Sequence, residues 1–172
     1  MRKLSLSLLF IGMTSLGFAQ YSLPEFSNPF ESSIRTVNAD VDYLDKVQGG
    51  STPNYVKLVE QKVSNWDPTL SSEFNKDKEE LFNTTFKTKR GYVAAYYDNE
   101  GKIVFAEERF KNVALPYHLS RTIAMEYPGW SFEQTKYVLQ YQEGKTTRRL
   151  FRVVIKKGDK TKRLKIHVPA NK

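Results

Sequence analysis

LPYHLSRTIAMEYPGW, residues Leu115–Trp130, reads as one amphipathic helix with a marked start and stop. Pro116 suits a first helical position, where a missing N–H costs nothing. Leu119, Ile123 and Tyr127 recur at helical spacing with Ala124 beside them, so one stripe is apolar. Pro128-Gly129 forbids another turn and sends Trp130 back toward whatever the stripe covers. Three strand-like runs follow, so the covered surface is a sheet.

Those runs are Phe132–Gln142, with Tyr137, Leu139 and Tyr141 on one face, Arg149–Lys156, with Phe151, Val153 and Ile155 inward, and Arg163–Val168. Glu143-Gly144-Lys145 and Lys157-Gly158-Asp159-Lys160 turn the chain between them. The same order occurs upstream. Val56, Val59, Val63 and Trp66 repeat at helical spacing, with Lys57, Glu60, Gln61 and Lys62 on the remaining faces, and Asp67-Pro68 stops the helix. Leu81–Thr88, Tyr92–Tyr97 and Ile103–Phe110 then alternate as strands, with Asp98-Asn99-Glu100-Gly101 as a hairpin loop. The expected fold is therefore α+β: two tandem αβββ units, 51–112 and 113–170, with the helices on one face of an antiparallel sheet.

Upstream of this domain the pattern changes. Arg2-Lys3, an uncharged run from Leu4 to Phe18 and the small-residue end Gly17-Phe18-Ala19 have the order of a secretory signal peptide cleaved after Ala19. The run is shorter than the roughly 20 residues of a spanning helix. A periplasmic or secreted protein with no membrane span after cleavage is expected. Residues 20–50 form a poorly assigned leader. Within it Ile34, Val37, Val41, Leu44 and Val47 fit a helix, while Val37, Ala39, Val41 and Tyr43 fit a strand equally well.

The sequence has no cysteine, so an exported chain must here do without disulfides, thiol nucleophiles or thiolate metal sites. Ten tyrosines and eleven phenylalanines are left to build the core. Charge is uneven. The formal net charge is +8, yet 12 Lys and Arg stand against three acids from Ser131 onward. The excess belongs to the last strands.

GYVAAYYDNEGKIVFAEERF, then VALPYHLSRTIAMEYPGW, then basic hairpins, resembles the PepSY-like proteins of the β-lactamase-inhibitor-protein-like (BLIP-like) group, common among exported proteins of Bacteroidetes. The likeness runs roughly from Tyr55 to Val168. It rests most on Tyr97, Asp98 and Gly101, on Leu115-Pro116 and on Tyr127-Pro128-Gly129-Trp130. It implies tandem helix-plus-sheet units and a link to peptidase inhibition, and it offers no catalytic residues to carry over.

Nothing in the spacing makes a catalytic or metal site. His118 and His167 lie far apart in sequence, without the convergent partners that a triad or zinc site needs. Glu107 and Glu108 are strand neighbours that point to opposite faces and read as edge solvation and a cross-strand ion pair. Asp98–Gly101 lacks the twelve-residue series of a calcium loop. No phosphate-binding glycine motif occurs. No enzyme activity, cofactor or metal is expected.

The surface signal is basic. Arg148, Arg152 and Lys156 share one strand face, and Arg163, Lys165 and His167 share a face of the next. If these strands pair, one sheet face is positive. Lysine and arginine also keep a solvent-facing sheet and its edge soluble, which is the plain alternative. Tyr96 joins the candidate surface as an outward aromatic. The expected function is non-catalytic binding through the open sheet face, to an envelope protein or an anionic envelope component and not to nucleic acid. The alternatives are a modulator of an envelope peptidase and a hydrolase with an unrecognised site.

Overall fold

Six strands and three α-helices occupy residues 39–169, which the computed structural model describes. The expected signal peptide and the leader as far as residue 38 lie outside the described residues. The order is α1 (Val41–Val47), α2 (Asn54–Ser64), a 3-10 turn (Pro68–Leu70), β1 (Phe82–Thr88), β2 (Gly91–Tyr97), β3 (Ile103–Lys111), α3 (Tyr117–Glu126), β4 (Ser131–Gln142), β5 (Arg148–Lys157) and β6 (Lys160–Val168). All six strands form one antiparallel sheet in sequence order, β1 to β6. The fold class is α+β.

Alternation makes the sheet two-faced. Phe86, Val93, Leu139 and Val168 lie in one cross-strand row on the inner face, and Phe110, Tyr137, Phe151 and Ile166 in the next. Tyr43 and Val47 of α1, Val56, Val59 and Val63 of α2 and Ile123 of α3 are buried in the same core. The stretch that fits helix or strand equally well is helical where it is described, from Val41 to Val47. Its two buried residues make α1 part of the domain core.

The central helix begins one residue later than expected. Pro116 is its cap and Tyr117 its first residue. Its end follows the sequence: Tyr127 N–H bonds Ile123 O at 2.8 Å, and Gly129 turns the chain at φ +77°, a conformation that glycine enters without strain. Leu119, Tyr127 and Trp130 are half-buried against the core, whereas Ala124 is exposed. The apolar stripe is thus one residue narrower than its spacing predicts.

Gly91 opens β2 where the β1–β2 turn passes close to β3. A Cβ there would lie 1.9 Å from Arg109 O. Only glycine allows that approach.

Candidate functional site

The outer sheet face is assembled by register. Lys111 of β3 pairs directly with Lys136 of β4, Lys136 with Arg152 of β5, and Arg152 with Lys165 of β6. Four cations therefore stand side by side across four strands, at the strand spacing of about 4.8 Å. All four are exposed, and among the described residues none has an ion-pair partner. Arg163 faces Val154, two residues from Arg152, and flanks the row, whereas Lys156, opposite Thr161, lies four residues along β5 from Arg152, about 13 Å away. Arg148 is also exposed but lies four residues along β5 from Arg152, about 13 Å away. It pairs with Gln140, which pairs with Glu107.

Tyr96 is on the same face yet outside this patch. It is half-buried against Phe105, ring centroids 5.3 Å apart, in a row that continues to Gln142. Phe105 is six residues from Lys111 on β3, about 20 Å away. The candidate residues thus divide into a cationic end and an aromatic end. Lys111 and Lys136 are the members that sequence reasoning missed, because pairing depends on register and not on spacing within a strand.

The inner face holds a second constellation, which corrects two sequence expectations. Glu108 is not edge solvation: β3 is a central strand, and Glu108 is fully buried (0% exposed) between Val93 and Leu139. Glu107 makes its ion pair with Arg109 of its own strand, at 4.0 Å, and not across strands. Glu60 is not on a polar face of α2 either. It follows Val56 by four residues and precedes Val63 by three, on the buried stripe, and is also 0% exposed. Arg149 precedes inward Phe151 by two residues, so it points inward too and is buried.

These three ionisable groups sit together beneath α1. Tyr43 Oη donates to Glu108 Oε1 at 2.8 Å. Arg149 Nη2 donates to Lys46 O at 3.0 Å and Val47 O at 3.1 Å, two carbonyls at the end of α1. A cation there also meets the negative end of the helix dipole. Thr52 Oγ1 donates to Val47 O at 3.0 Å. The Gln48 side-chain amide and the Glu108 carboxyl adjoin the Glu60 carboxyl. Burial pushes the Glu108 carboxyl up to about 7, against the opposing effects of Tyr43, Glu60 and Arg149. Burial raises Glu60 well above the usual carboxylate range too, followed by the charge of Glu108 beside it.

The histidines are not brought together into a site. His118 Nε2 lies 3.5 Å from Ser51 Oγ at the start of α3, and His167 is exposed in the outer row with Leu150. Asp98 Oδ1 accepts from Glu100 N and Lys102 N, as a hairpin loop requires. Among the described residues no group of three or more His, Cys, Asp or Glu side chains is placed to hold a metal ion. No helix among them is long and apolar enough to cross a membrane.

Comparisons with protein-family models, with curated proteins and with solved structures returned no match.

Proposed function

We propose that this is an exported, PepSY-like binding protein built from two αβββ units, which docks a linear polyanion of the cell envelope on its outer sheet face. The observation that carries this reading is the row Lys111–Lys136–Arg152–Lys165. Like charges directly opposite on a sheet destabilise it. A face that is merely solvated intersperses both signs. Three successive like-charged pairs work against folding and concentrate positive potential along a line, which suits an extended chain of anionic groups better than a point charge.

The test uses dextran sulfate as the probe polyanion, inorganic phosphate as the point-charge control, and full-length mature protein. Wild type binds dextran sulfate, weakens with added salt and ignores phosphate. Lys136→Glu, in the middle of the row, loses that binding. Lys76→Glu, an equal charge change in an exposed loop, keeps it. Equal losses in both variants would reduce the effect to net charge and reject the face.

A further inference from the structure

We propose that the last turn of α1 is a proton-controlled latch: a proton shared by the Glu60 and Glu108 carboxyls keeps it clasped over the sheet, and loss of that proton releases it. This rests on the buried cluster and is independent of the outer face.

Charge balance is the first reason. Two touching carboxyls with one proton carry a single negative charge, which Arg149 neutralises. Without the proton the buried cluster holds one uncompensated negative charge, and two adjacent carboxylates repel. The charged and titratable groups around the pair are few. Among the described residues Tyr43 faces it from α1, Tyr137 from β4 and Arg149 from β5, with the neutral Gln48 and Thr52 from the α1–α2 connection. Burial pushes both tyrosine hydroxyls up, so they remain protonated and supply no second charge. Among the described residues Arg149 is the one cation acting on the two carboxyls.

The placement of Arg149 turns this imbalance into movement. Its Nη2 holds the end of α1, while Nε and Nη1 find no hydrogen-bond partner among the described residues. A second carboxylate competes for the guanidinium with the two helix carbonyls. Once Arg149 turns toward the carboxylates, the last turn of α1 keeps the Thr52 Oγ1–Val47 O bond, while its start stays tied by Asp40 Oδ2, which accepts from Ile103 N at 2.8 Å, and by the Asp42–Lys102 ion pair. The helix has seven residues, too few to persist as an isolated helix. Tyr43 and Val47 are its buried residues. Lifting that last turn hydrates the carboxylates without dismantling the sheet, the least costly form of local opening. The released proton passes to solvent.

Amide hydrogen exchange on the mature protein tests this between about pH 6 and about pH 9, after correction for the intrinsic pH dependence of exchange. Protection of Leu44–Gln48 is expected to fall by about tenfold per pH unit once the pair loses its last proton, while Tyr137–Tyr141 in β4 stay protected. Glu108→Gln and Glu60→Gln each leave one carboxylate to balance Arg149 at every pH, so both hold α1 protection level. Constant α1 protection in wild type would overturn the latch, as would parallel loss in α1 and β4, which is global unfolding. A decline that persists in a folded glutamine variant would assign the opening to another group. Should either variant fail to fold, the comparison of α1 with β4 in wild type still decides.

Discussion

Arg149 is the most consequential single side chain on the inner face. It neutralises a buried carboxyl pair and also holds the last carbonyls of α1. Arg149→Ala removes both at once and leaves an uncompensated buried charge, so urea denaturation should show a loss of about 3–5 kcal/mol. The pair itself makes stability depend on pH. Its carboxyls bind protons more tightly in the folded chain than in the unfolded one. Their contribution is therefore complete below the unfolded carboxylate range and is lost as pH rises through the folded value, about 7 for Glu108. Denaturation midpoints measured from acid to neutral pH should fall in wild type by an amount equivalent to roughly 3 kcal/mol. They should fall much less in Glu60→Gln.

At the scale of elements, the close passage of β2 over β3 and the seating of α3 make separate predictions. Gly91→Ala places a methyl group against Arg109 O, so β2 must shift away from a central strand. A loss of about 2–4 kcal/mol is expected in thermal or denaturant unfolding. Trp130 folds back beside Tyr127, ring centroids 6.2 Å apart, and stays half-buried. A fully buried Trp truncated to Ala costs about 3–5 kcal/mol; Trp130→Ala should cost about 2 kcal/mol, because part of its surface already meets water. Trp66 offers a contrast. It sits among Phe82, Phe86 and Tyr97, with centroids 5.4–6.2 Å away, and fixes α2 to the first strands. Trp66→Ala should exceed the Trp130 loss in the same assay.

On the scale of the whole molecule, the cationic row sets stability against binding. Lys136→Glu changes two like-charged neighbours, Lys111 and Arg152, into opposite-charged ones. Each cross-strand pair of this kind is worth roughly 0.2–1 kcal/mol. The variant should therefore be as stable as wild type or slightly more so at low salt, with the gain shrinking as salt is added. The same substitution should abolish polyanion binding. A stability gain coupled to a loss of binding distinguishes a retained docking face from one whose lysines serve solubility alone.

Period and punctuation along the chain determined the elements. Alternation marked all six strands and the helical stripes marked α2 and α3, because which side of an element faces inward is a local geometric consequence of 2.0 and 3.6 residues per repeat. The outward placing of Arg148, Arg152, Lys156, Arg163 and Lys165 follows from the same rule. So does the inward placing of Arg149, Glu108 and Glu60: each occupies an apolar position, and the pattern was legible wherever residue type was set aside. Register was not. That Lys111, Lys136, Arg152 and Lys165 stand in one row depends on how far each strand slides against the next, a quantity fixed by turn lengths, a bulge between Phe132 and Gln134 and side-chain fit across the sheet. That Glu60, Glu108 and Arg149 meet beneath α1 depends on helix placement. Only the tertiary structure decided either, because the charge and proton balance of a site is summed over neighbours in space that lie up to about ninety residues apart in sequence.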